Sequence, residues 1–151
     1  MLTEKDYCDY DTCVALKELG YNQPSIAFYP CQDIIVDCID SNGELYEAEY
    51  DKGNLALYSS LNNKNHDINK VQAPLLYEAQ KWLREEKKID VLIEIECKDV
   101  HLSSKHYSVF ISYMGRFMRR FQYLSNEFDS YEEALSEGIK EVVKILKEEE
   151  K

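Results

Sequence analysis

The order of elements in the second half of the chain predicts an α+β fold: an antiparallel sheet with helices on one face. Three observations carry this. A proline-led helical pattern covers 73–88. Three runs of strand alternation follow, and a Ser-x-x-Glu box at Ser130 to Glu133 then opens a long amphipathic helix. Helix–strand–strand–strand–helix builds a C-terminal αβββα domain over 73–151. An N-terminal helix plus β-hairpin subdomain over 1–72 precedes it, either distinct or packed into one domain with the rest.

The first helix is expected over 10–19. Asp9 or Asp11 can accept from free N–H groups of its first turn, and Ala15, Leu16 and Leu19 form a short apolar stripe. Gly20 suits the left-handed position past its end. A short run at 26–29 and the β-branched segment DIIVDCID at 33–40 read as strands. Ser41-Asn42-Gly43 is a hairpin signal, because Asn-Gly tolerates positive φ. The returning strand, 44–50, is two-sided and rich in tyrosine. Residues 55–61 fit a strand or a short helix, and the polar, Asn-rich stretch 59–72 reads as a long loop or junction.

Pro74 is expected in the first turn of the next helix, where its missing N–H has no intrahelical partner. Leu76, Ala79 and Leu83 share one face, with Leu75 and Trp82 flanking. In 89–97, Ile89, Val91, Ile93, Ile95 and Cys97 point one way and Glu94 and Glu96 the other, as in a half-buried strand with one wet face. Residues 107–114 and 117–124 repeat the alternation, with Arg119 on the aromatic face or at a bulge. In the last helix, Ser130 and Glu133 can each satisfy the other's backbone N–H. Tyr131, Leu135, Ile139, Val142 and Leu146 make its buried stripe, and Gly138 implies a close approach to the sheet. The expected core is Leu76, Ala79, Leu83, Val91, Ile93, Ile95, Val109, Ile111, Phe121, Leu135, Ile139, Val142 and Leu146.

At 151 residues, 44% of them hydrophobic and 31% charged, the chain can bury a core and is not globally disordered. Its net charge of −11 opposes nucleic-acid phosphates at long range and favours solubility. The start of the chain has no basic segment followed by an apolar one, and no apolar run approaches the roughly 20 residues that span a bilayer. A cytoplasmic protein is expected, with no membrane contact. The five cysteines, at 8, 13, 31, 38 and 97, then read as free thiols, and Cys97 as a small apolar strand residue.

No catalytic, cofactor or metal motif stands out, so a non-enzymatic protein with no cofactor is expected. Cys8-x4-Cys13 and Cys31-x6-Cys38 are wider than most zinc knuckles and fall on a helix and a strand. Asp99, His101 and His106 bring three donors near one loop without a fourth; the plainer reading is a solvated loop. No histidine is placed beside Cys8, Cys31 or Cys97 to activate a thiolate. Arg116, Arg119 and Arg120, interleaved with Phe117, Phe121 and Tyr123, could clamp a single strand of nucleic acid. The plainer reading is an amphipathic strand whose arginines pair with Glu94 and Glu96 on a neighbour. Tyr46, Tyr50 and Tyr58 are the candidate protein interface, since tyrosine offers rigid contact area at low entropy cost.

The αβββα order resembles that of double-stranded-RNA-binding domains. There the last helix opens on lysines that grip phosphate; here the matching turn is Asp129-Ser130-Tyr131-Glu132-Glu133, so the activity is not implied. The stretch FDSYEEALSEGIKE, 128–141, also resembles the strand-to-helix segment of HicB-type antitoxins. Two segments together, APLLYEAQKWLRE from Ala73 and FDSYEEALSEGIKE from Phe128, resemble a family of short uncharacterised proteins from Bacteroides-type gut bacteria and their phages and mobile elements. EKDYCDY from Glu4 and LKELGY from Leu16 fit as well, whereas 23–71 matches poorly. The resemblance implies a genomic setting and transfers no catalytic residue. The function expected is that of an accessory protein that binds another protein, with weak nucleic-acid binding through Arg116, Arg119 and Arg120 as the alternative.

Overall fold

The computed structural model describes residues 1–62, 68–97, 105–114 and 119–150, with backbone alone at 96–97, 105, 119–121 and 125–127. The fold is α+β. The chain divides into two units: Tyr7–Pro74, and Leu75–Lys151 joined by Met1–Asp6.

In the first unit, α1 (Tyr10–Glu18) is capped by Asp9, whose carboxylate accepts from Thr12 N–H at 2.8 Å. Its far end closes as a Schellman turn. Gly20 takes φ +102° and donates to Lys17, while Tyr21 N–H reaches back to Leu16 at 2.8 Å. Strand β1 (Ala27–Pro30) lies between β4 (Ala56–Leu57) and β5 (Lys70–Gln72), antiparallel to both. Strands β2 (Ile34–Ile39) and β3 (Leu45–Tyr50) form the hairpin. Its turn is fastened by the Asp40 carboxylate, which accepts from Asn42 and Glu44 N–H at 2.8 and 2.9 Å, and Gly43 supplies φ +81°. Phe28 is fully buried, with Tyr58 4.8 Å and Tyr50 6.3 Å away between ring centres. On the opposite side of β1, Tyr29 donates its hydroxyl hydrogen to Cys8 O at 2.8 Å and meets Tyr10 edge-on.

Two local expectations change here. Residues 55–61 are both of the things they resembled: β4 runs into a 3-10 turn at Tyr58–Ser60. The stretch expected as a loop ends in β5, where Val71 is buried between half-buried Lys70 and Gln72. Three residues are too few to register as alternation in sequence.

The second unit runs α2 (Leu76–Glu86), β6 (Ile89–Cys97), β7 (Lys105–Met114), β8 (Arg119–Phe128) and α3 (Tyr131–Glu149). The sheet order is β6-β7-β8, antiparallel throughout. Helix α2 starts later than expected. Pro74 precedes the cap, and Leu75 N–H is held by the Glu78 carboxylate at 3.0 Å. Ser130 caps α3 by accepting from Glu133 N–H at 3.1 Å. The Glu133 carboxylate reaches Asp129 N–H, not the Ser130 N–H expected of a strict capping box. Helix α3 packs on β6 and β7, and α2 packs on β6 and α3. Leu76, Ala79, Leu83, Val91, Val109, Ile111, Leu135, Ile139 and Val142 are buried, as are Trp82 and Val143.

Ile95 of the expected core and Tyr131 of the expected buried stripe of the last helix are instead 59% and 42% exposed. Ile95 pairs with Tyr107, whose ring meets Tyr131 at the first turn of α3. Cover by the helix begins only there, so the end of the apolar stripe stays wet. Leu146, in the last turns of α3, is partly exposed for the same reason, and Ile93, at the middle of β6, is also only half-buried. The side chain of Phe121 and residue Phe117 lie outside the described set.

Candidate protein-interaction surfaces

The three tyrosines proposed from sequence do different work. Tyr46 stands opposite Cys38 on β3 and is 47% exposed. Tyr50 pairs with Ile34, and its hydroxyl lies 3.3 Å from Cys38 Sγ. Burial, then the bond and charge of Cys38, push its phenol well above the ordinary range. Tyr58 packs on Phe28 and accepts from Gln72 Nε2 at 2.8 Å, with Lys70 Nζ 5.7 Å from its ring centre. Tyr50 and Tyr58 thus brace the first unit from within, and Tyr46 presents a face to solvent.

Strand alternation puts Ile35, Ile39 and Leu45 on the hairpin face away from Tyr46, and they are 72%, 37% and 63% exposed. Asp37, Glu47 and Glu49 lie on that same face. A two-stranded ribbon buries at most one face, so the other keeps its apolar residues in water. The sequence signal was present in the unbroken run Ile34-Ile35-Val36, which is too apolar for a strand with one wet face.

A second apolar row crosses the sheet of the C-terminal unit. Leu92 pairs with Phe110, and Phe110 with Tyr123, whose ring is 5.0 Å away. Leu92 and Tyr123 are 39% and 48% exposed. Leu92 and Phe110 are even positions of their strands, opposite in sense to Val91, Val109 and Ile111, which face the helices, and Tyr123 joins them through its pairing with Phe110. Leu92 and Phe110 each break the polar pattern of their face and are the sequence cues to this row.

Arg116 lies outside the described residues. Arg119 and Arg120 sit on β8, level with Met114 and Tyr113 of β7. The expected pairing with Glu94 and Glu96 is corrected: those carboxylates are on β6, and β7 intervenes. Glu94 is level with Ser108, five residues along β7 from Tyr113.

Asp99 and His101 are outside the described residues. His106 lies opposite Glu96, and its Nδ1 is buried with no partner among the described residues. No group of three or more His, Cys, Asp or Glu forms a metal-like cluster among them. Cys8, Cys13, Cys31 and Cys38 are free thiols, and Cys31 is the one partly exposed. Burial, then Cys8 and Asp9, drive the Cys13 thiol far above its ordinary pKa, leaving it a poor nucleophile. No described helix is long and apolar enough to cross a membrane. The chain matches no protein-family model, and comparison with curated proteins and with solved structures gives no significant match.

Proposed function

We propose that this chain is a small cytoplasmic accessory protein of a phage or other mobile element that acts without catalysis, by binding another protein. The observation that supports this best is the hairpin. Tyr46 on one face and Ile35, Ile39 and Leu45 on the other remain in water along a two-stranded β-ribbon. Exposed aromatic and aliphatic side chains on one small element are typical of surfaces that bury on association. Full-length tagged protein is used to capture partners from host lysate, with and without nuclease, alongside Tyr46→Asp and Leu45→Asp variants. A stoichiometric protein that survives nuclease and is lost from both variants is the expected result. Capture unaffected by either substitution overturns the assignment to the hairpin.

The second reading is weak nucleic-acid binding through Arg119 and Arg120. It is supported by their register, since the β7 residues opposite them carry no acid to neutralise them. Binding to single strands would fall steeply with salt and vanish in Arg119→Glu/Arg120→Glu. No binding at low salt removes it.

A further inference from the structure

We propose that the free edge of β5, walled by α1, is a strand-addition groove for an extended acidic segment of a partner protein. The hydrogen bonds to β1 fix which backbone groups β5 leaves unused. Ala73 N–H donates to Ala27 at 3.0 Å, and Cys31 N–H donates to Asn69 at 2.9 Å. In an antiparallel ladder these pairs alternate with unbonded ones. Residues 69, 71 and 73 therefore turn their N–H and C=O groups to β1. Ile68, Lys70 and Gln72 turn theirs away from it. Among the described residues, β5 pairs with β1 alone.

Those same three residues, Ile68, Lys70 and Gln72, line a cleft of about 390 Å³. Its other wall comes from α1 and the turn after it, including Cys13, Lys17 and Tyr21. A strand edge facing a helix across a cleft is the geometry by which extended peptides are taken up: main-chain bonds supply affinity and the walls supply selection. From residue 68 to 72 a strand advances about 13 Å, enough to pair three or four residues of an incoming chain.

Charge says what the segment carries. The chain has 29 acidic residues against 18 basic ones. Among the described residues, the cleft reverses that balance: its lining includes Lys17 and Lys70, whose ammonium leans over the Tyr58 ring, and no aspartate or glutamate. An extended segment with acidic side chains is the complement. The inference rests on the protein-binding reading above, but uses none of Tyr46, Leu45 or Ile35.

The test pans the full-length chain against displayed random octapeptides and then studies the enriched peptides as synthetic ligands. Enrichment of Asp and Glu spaced by apolar residues is expected. Binding should slow hydrogen exchange at Lys70 and Gln72. N-methylation at alternate peptide positions should abolish binding in one phase and spare it in the other. Lys17→Glu should weaken binding tenfold or more, Lys17→Arg should retain it, and Tyr46→Asp should leave it unchanged. That last result separates the groove from the hairpin, whichever of them fails. The proposal is overturned if no peptide enriches or if the enriched set lacks acids. Protection at β3 instead of β5, or indifference to N-methylation, also overturns it. So does equal occupancy by millimolar inorganic phosphate, which would mark a simple anion pocket.

Discussion

Gly138 of α3 lies so close to Val91 of β6 that a Cβ at position 138 would overlap Val91 Cγ1, with Val109 Cγ1 at 3.0 Å. The glycine costs the helix about 1 kcal/mol relative to alanine. What it gains is contact between the helix backbone and the centre of the sheet. Val91 is buried and β-branched, so it has few rotamers into which to retreat. Gly138→Ala is therefore expected to destabilise by roughly 1–3 kcal/mol, despite its better propensity. In urea denaturation, Gly138→Ala/Val91→Ala should lose less than the sum of the single variants. Additive losses, or a more stable Gly138→Ala, would show that the helix has room to shift outward.

Lys88 occupies the left-handed position past a helix end that glycine fills more often than any other residue. It follows the Lys87 cap of α2 and takes φ +59°, which turns the chain directly into β6. A side chain in that region costs on the order of 1 kcal/mol. Its ammonium returns to Glu85 O at 2.6 Å, but the bond is exposed and offsets little. Lys88→Gly should raise stability by roughly 0.5–1 kcal/mol, and Lys88→Val should lower it. Thermal melts of the two variants moving in the same direction would contradict this.

The first unit depends on the hydroxyl of Tyr58 as well as on its ring. Tyr58→Phe keeps the contact with Phe28 and removes the acceptor for Gln72 Nε2. The Gln72 side chain, whose Oε1 is already without a partner among the described residues, would then lack both bonds. A loss of about 1–2 kcal/mol is expected. Tyr46→Phe, on the exposed strand, should change stability by less than about 0.5 kcal/mol. Equal effects in the two variants would mean that Tyr58 does not brace the sheet.

Much of this architecture can be read in local grammar. Asp9, Gly20 and Ser130 each mark a helix end by a bond that the backbone needs. The alternation of Ile89, Val91 and Ile93 names the buried side of β6. What the pattern lacks is reach. Periodicity says which way Ile95 and Tyr131 point, but not where cover by α3 begins. Strand adjacency is also beyond it: Arg119 and Glu94 look complementary in sequence, and the meander puts β7 between them. The tyrosines at 46, 50 and 58 look alike in sequence and part company only when Phe28 draws two of them inward. The β5 edge leaves no sequence signature, because a three-residue strand carries its information in hydrogen bonds to β1, not in its side chains.

Cys13 should make stability depend on alkaline pH. The thiol is 2% exposed, and Cys8 O lies 3.6 Å from its sulfur. Burial, then the neighbouring Cys8 and Asp9, raise its folded pKa far above the ordinary value. The unfolded thiol ionises near pH 8.5. Below that pH both states hold the proton and the group's contribution is complete. Above it the unfolded chain releases the proton while the folded chain keeps it, so stability falls by up to about 1.4 kcal/mol per pH unit until the folded thiol also ionises. Urea midpoints at pH 7.5, 8.5 and 9.5 test this against Cys13→Ala. The variant should begin lower, because a buried sulfur has been removed, and then lose less between pH 8.5 and 9.5 than the parent does. Parallel declines would mean that the folded thiol ionises as readily as the unfolded one, and that α1 leaves water a path to it.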